Sequence, residues 1–166
     1  MHPFIKQTLY FMDTELARIH TSLSRLSDDD VWKKPRYSMN SVGNLCLHLA
    51  GNEYQNIVSG IGKNPFIRTR SAEFLANGNF SIQELSEKLT TTREQSRAIL
   101  QMLTEEDFAT IVNIHYPFDQ AMKSYEKPLL DLVYHTATHY SYHTGQIVLL
   151  TKFFQNGEEH VLQWRH

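Results

Sequence analysis

The residues best suited to chemistry in this 166-residue chain are His135, His139 and His143, set four apart in the run His135-Thr136-Ala137-Thr138-His139-Tyr140-Ser141-Tyr142-His143-Thr144-Gly145-Gln146-Ile147. No proline interrupts the run, and apolar residues bracket it. On a helix each four-residue step turns about 40° and climbs roughly 6 Å, so the imidazoles share one face. Neighbouring rings can grip one metal ion, whereas the outer two stand about 12 Å apart along the axis and cannot share it. The spacing leaves open which adjacent pair is used. Either pair needs a ligand from another segment, and His48 in Asn44-Leu45-Cys46-Leu47-His48-Leu49-Ala50 is the obvious donor.

Three neutral imidazoles suit zinc, nickel, copper or ferrous iron and do not suit magnesium or calcium. The cofactor expected is a divalent transition metal, zinc or nickel before the others. Three protein ligands leave a coordination position open, as in catalytic rather than structural zinc sites. With no anionic ligand the ion keeps its full charge and lowers the pKa of a bound water or thiol. The competing reading is that helical histidines bind nothing. Against it, the inward stripe of this helix reads Leu132, Thr136, His139, His143, Gln146 and Leu150, apolar at its ends and polar at its centre. Burying imidazoles without partners costs about 1–3 kcal/mol each, and a metal removes that cost by engaging one nitrogen of every ring.

These side chains must be carried by helices. Phe4, Thr8, Phe11, Met12, Leu16, Ile19, Leu23 and Leu26 recur at helical spacing, so a first helix is expected over 4–26, stopped by Ser27-Asp28-Asp29-Asp30. Val31 to Pro35 then reads as a connecting segment. Asn40 or Ser41 can cap a second helix that runs to about Ser59, with His48 at the border of its apolar face. Gly60, Gly62 and Pro65 break the pattern, and residues 64–74 form a long connection. Ser81-Ile82-Gln83-Glu84 is a capping box opening a third helix through Leu85, Leu89, Ile99 and Leu103. After a turn at Thr104 to Asp107, the stretch Ile111 to Tyr116 alternates as a strand would. The last helix is expected from Lys127-Pro128 to about Gln155, where Asn156-Gly157 ends it. Four long helices joined by long crossover connections predict an all-α four-helix bundle, one domain over 1–166.

Composition narrows the function. Sixteen basic against eighteen acidic residues give a net charge of −2, which argues against a general polyanion-binding surface and so against nucleic acid as a partner. No apolar run approaches the roughly 20 residues of a membrane span. The single Cys46 cannot form an intrachain disulfide, and the N-terminus lacks signal-peptide character, so a cytoplasmic protein is expected.

Other residues near these elements are candidates for chemistry. Asn52, four after His48, could orient a metal-bound water or merely bridge helices. Arg68 and Arg70 could clamp an anionic substrate. Glu73 could pair with one of them or act as a base. Cys46, two residues from His48, points elsewhere and reads as a core thiol. Tyr140 and Tyr142 read as packing residues, one of whose phenols could reach the site.

His48 in its Asn40-Ser41-Val42-Gly43-Asn44-Leu45-Cys46-Leu47-His48 context, together with His139-Tyr140-Ser141-Tyr142-His143-Thr144-Gly145-Gln146-Ile147, resembles the DinB-like (DinB and YfiT-like) superfamily of metal-binding four-helix bundles. The Trp32…Pro35 approach resembles it as well. His48-Leu49-Ala50-Gly51-Asn52 followed by Arg68 to Phe74 is similar to a branch of unknown function. The resemblance implies His48, His139 and His143 as metal ligands, with His135 left out. It also implies metal-dependent transfer of low-molecular-weight thiols to electrophiles, or thiol-dependent isomerisation, in which Arg68 or Arg70 could hold an acidic thiol, and a protein that can form a homodimer. Two alternatives stand beside the thiol transferase: a metal-dependent hydrolase using the same ligands, and a non-catalytic metal-binding or stress-response protein.

Overall fold

The computed structural model describes residues 1–114, 116 and 123–162. Four helices form the bundle: α1 (Pro3–Leu23), α2 (Val42–Glu53), α4 (Ile82–Gln101) and α5 (Leu129–Phe154), with a short α3 (Arg70–Leu75) inside the second connection. Helix α1 packs on α5 and α4, and α2 packs on the same two, so the helices run around the bundle in the order α1, α5, α2, α4. Ile5, Met12 and Ile19 meet Leu45, Leu49, Leu89, Leu132 and Ile147 in one continuous core. None of the helices among the described residues is long and apolar enough to cross a membrane.

Local chemistry sets most boundaries. The imidazole of His2 caps α1 by accepting the Phe4 amide at 3.1 Å. Ser41 and Asn44 form a reciprocal box at the start of α2, and Ser81 and Glu84 form the one expected at the start of α4. Helix α1 ends three residues earlier than its pattern predicted. The amides of Arg25 and Leu26 turn back to the carbonyls of Ser22 and Leu23, which tightens the chain before Leu26.

Elsewhere the chain departs from expectation because distant contacts decide. Val31 and Trp32, expected as a mere connection, form a buried 3₁₀ turn (Asp30–Trp32) whose indole donates to the carbonyl of Phe80 at 2.9 Å. Helix α2 continues without a break into a π-helical stretch, Tyr54–Ile61, which carries Gln55 and Asn56 into the interior. The Arg70–Leu75 helix lies where the sequence predicted irregular chain. The alternating stretch is a strand, β1 (Ile111–Ile114), and His115 lies outside the described residues. Its antiparallel partner β2 (Tyr125–Pro128) takes the residues expected to begin the last helix, with Ile111 opposite Pro128. Proline is tolerated at this strand end, and α5 starts one residue on, where the Leu129 amide donates to the Thr110 carbonyl at 2.9 Å. The fold is thus the expected helical bundle with a two-stranded hairpin added at one end.

Candidate metal centre

Helix α5 carries two of the three clustered histidines. Its buried line runs through Leu132, Thr136, Tyr140, Thr144, Ile147 and Thr151, with the threonine hydroxyls donating to carbonyls four residues back. His139 and His143 are half-buried on the flank of that line rather than at its centre, on the side that meets α2. From α2, His48 enters the same space; it is 7% exposed.

One nitrogen from each of His48, His139 and His143 lies within 4.8 Å of the others, a grouping that could hold a metal ion. The Nε2 atoms of His48 and His139 are 3.1 Å apart. Two nitrogens on a tetrahedral zinc ion at about 2.0–2.1 Å stand roughly 3.3 Å from each other, so this pair is already spaced for a shared ion. The ring of His143 lies 4.4 Å from that of His139 and 5.1 Å from that of His48, centre to centre. Its Nδ1 is 2.7 Å from Gln146 Oε1, which leaves Nε2 as the atom to offer. The Nδ1 of His139 is buried and has no hydrogen-bond partner among the described residues. Burial, with the neighbouring imidazoles and Arg68 adding to it, pushes His139 down to about 3, and burial also lowers His143. Both rings are therefore neutral near pH 7 and have lone pairs to donate, as a transition metal requires. His135 is exposed and sits outside the group, its ring 5.8 Å from that of His139.

Behind His48 lies a buried ionic network. Glu73 Oε2 is 3.0 Å from His48 Nδ1. Arg68 donates to both oxygens of Glu73, Nε to Oε1 at 2.6 Å and Nη2 to Oε2 at 2.8 Å, and its Nη1 donates to Gln55 Oε1 at 2.6 Å. Gln55 in turn donates to the Tyr116 hydroxyl at 2.6 Å. Asn44, one turn before His48, places the acid: its Nδ2 donates to the backbone carbonyls of Glu73 and Ala76, both at 2.9 Å. A cleft of about 710 Å³ between α2, α3 and α4 opens on the far side of Arg68 and Glu73.

The remaining sequence candidates fall in different places. Arg68 is buried in that network, whereas Arg70 is exposed, its guanidinium 5.2 Å over Phe74, a ring 4.9 Å from His48. Asn52 is half-buried and accepts from Asn56, which also donates to Thr136 of α5 at 3.2 Å. Cys46 is buried and burial pushes its thiol up to about 12, in keeping with a core role. Tyr142 is exposed and meets His143 edge-on at 4.9 Å. Tyr140 turns away from the histidines. It packs under Arg93 at 4.6 Å, in a buried cluster where Arg93 and Ser96 of α4 bind Glu53. Nothing local in the sequence marks that cluster, since Glu53 and Arg93 are forty residues apart and each looks like a surface charge.

A family model described as a protein of unknown function, DUF1572, matches residues 2–164. No curated protein matches the chain in sequence. Solved structures share its fold. A conserved protein from Enterococcus faecalis superposes with a TM-score of 0.71 at 14% identity, over 93% of this chain and 98% of that one. A DinB-like protein from Bacillus cereus gives 0.62 at 17% identity, over 86% and 89%. A mycothiol-dependent maleylpyruvate isomerase gives 0.63 at 11% identity; 89% of this chain is covered but 63% of the isomerase. The fold is that of the DinB-like proteins.

Proposed function

The chain belongs to the DUF1572 family, and we propose that it is a metal-dependent enzyme that joins a low-molecular-weight thiol to an electrophilic small molecule. His48, His139 and His143 would hold the ion, zinc or nickel in first place among the divalent transition metals that three imidazoles suit. The observation that carries this reading is the 3.1 Å approach of two imidazole nitrogens from different helices, with a third imidazole beside them. Bound there, such an ion supplies positive charge that favours the ionised form of a thiol. The chain's own residues would do the rest. Asn52, one turn beyond His48, would orient the substrate. Exposed Arg70 is better placed than buried Arg68 to meet a substrate carboxylate. The thiol is suggested by the name of the mycothiol-dependent isomerase, whose fold is similar.

The protein would act as one domain in the cytoplasm, without nucleic acid; a net charge of −2 and a single buried cysteine support this. A homodimer would form through α5. That helix has two charged residues, Asp131 and Lys152, near opposite ends, and exposes Leu130, Tyr134, Leu149 and Phe153. An antiparallel pair of α5 helices crossing between residues 141 and 142 sets Asp131 against the second copy's lysine and Tyr134 against its leucine. Sedimentation of the protein beside Leu149→Lys tests this: the parent sediments as a dimer and the variant as a monomer, and a monomeric parent contradicts the pairing.

The chemistry is tested by assaying a panel of thiols against electrophilic acceptors, with metal-free protein and His48→Ala as controls. The expected result is a metal-dependent acceleration lost in both controls. Hydrolysis of an ester or amide panel instead would identify a hydrolase built on the same ligands. Inactivity on both panels by fully metallated protein would leave a non-catalytic metal-binding protein.

A further inference from the structure

We propose that Glu73 is a positioning residue for His48: its carboxylate accepts a hydrogen bond from Nδ1–H of the imidazole and so leaves the lone pair on Nε2, facing His139 and His143. The proposal rests on the metal site put forward above but concerns residues outside the ligand set.

Neutral imidazole carries one proton, and the partner of one ring nitrogen decides which nitrogen keeps it. Two groups stand beside His48 Nδ1. Glu73 Oε2, at 3.0 Å, can only accept from it; Arg68 Nη2, at 3.1 Å, can only donate to it. Arg68 Nη2 also donates to that carboxylate oxygen at 2.8 Å, and an unprotonated Nδ1 would set its lone pair against those of Oε2 at 3.0 Å. With Glu73 in place the proton belongs on Nδ1. Without it, Arg68 would donate to Nδ1 and leave the proton on Nε2, where it blocks a cation. The carboxylate thus does more than strengthen the site: it decides which tautomer the guanidinium behind it allows.

Glu73 is held for this task from several directions. Asn44 fixes its backbone, Arg68 grips both carboxylate oxygens, and Gly51 makes room, since a Cβ there would overlap Glu73 Oε1. His48, Asn44 and Gly51 all lie on α2, so one helix carries the ligand, the anchor of the acid and the gap it fills. Carboxylates that accept the distal proton of a ligating histidine are general partners of metal sites, and their removal typically weakens metal binding 10–100-fold.

The test compares the parent with Glu73→Gln, Glu73→Ala and Gly51→Ala, folding being checked by circular dichroism. Zinc affinity is measured by competition with a chromophoric chelator. The tautomer of His48 is read from imidazole ¹⁵N shifts in the metal-free protein, assigned by subtraction of His48→Ala. The expected result is a metal-free parent with the proton on Nδ1, a shift to Nε2 in Glu73→Ala, and zinc binding weakened roughly 10–100-fold in Glu73→Ala and Gly51→Ala. The amide of Glu73→Gln can still accept from Nδ1 and should lose less. A folded Glu73→Ala that binds zinc within threefold of the parent, or a parent with the proton on Nε2, overturns the proposal. If the parent binds no zinc, the metal site itself fails, while the tautomer comparison still decides the role of Glu73.

Discussion

The Nε2 atoms of His48 and His139 face each other at 3.1 Å across the boundary of α2 and α5, although ninety-one residues separate them in the chain. Two lone-pair donors this close repel unless a proton or a cation lies between them. The bundle order makes the approach possible, because α2 and α5 pack against each other.

His135 lies one turn before this pair, exposed and outside the grouping of three. His135→Ala should therefore keep its full complement of metal in untagged protein. Elemental analysis decides the matter, and loss of the ion from this variant would show that the adjacent pair had been chosen wrongly.

Acid should destabilise the metal-free protein through the same rings. His139 is pushed down to about 3 in the fold and His143 is lowered, while the histidines of an unfolded chain titrate near the ordinary value of 6.5. Between those values the unfolded state binds more protons, so stability falls as pH drops below about 6.5 and these groups add no pH dependence above it. Denaturant midpoints from pH 8 to pH 5 in the presence of a chelator check this. Relative to the parent, His139→Asn should gain stability as the pH is lowered, and a parallel pair of curves would contradict the assignment.

Glu53 is fully buried, with Arg93 Nε 2.9 Å from its Oε1 and Ser96 bonded to the same oxygen. Glu53→Ala leaves the buried Arg93 cation with only Asp13, 3.8 Å away and partly exposed, as counter-charge, a change that costs up to about 3–5 kcal/mol. Equilibrium unfolding in urea measures it. Replacing both partners with apolar residues, Glu53→Leu with Arg93→Met, should cost less than the sum of the single changes. Additive losses would mean that the two charges do not act as a pair.

Gly43 faces Trp32 so closely that an added Cβ would stand 2.8 Å from the indole ring. Gly43→Ala forces the indole away from its bond to the Phe80 carbonyl, and overpacking of this kind costs about 1–3 kcal/mol. An unchanged melting temperature would show that the Trp32 turn shifts freely.

What the sequence made legible was local. The Ser81–Glu84 box, the helical spacing of His139 and His143, and the apolar periodicity of α1 are all written within a few residues of where they act, whereas the inward stripe expected through His139 and His143 runs instead through Tyr140 and Thr144. The choice of His139 with His143 came from resemblance; in the fold both rings stand beside His48. What it hid depends on contacts between distant segments. Strand β2 is made by pairing with β1, and Lys127-Pro128 read alone resembles a helix start. The π-helical stretch after Glu53 has no pattern of its own. Glu73 looked like a loop acid until α3 brought it to His48, and Arg68, read as a clamp for an anionic substrate, is enclosed by Glu73 and Gln55.

The most direct measurement is the metal content of protein purified without a histidine tag, with His48→Ala and His143→Ala beside it. About one transition-metal ion per chain is expected in the parent, as a three-imidazole site binds a single ion, with a marked loss in both variants. Stoichiometric metal retained by both variants, or a folded parent that takes up none when offered zinc or nickel, would contradict the three-histidine site.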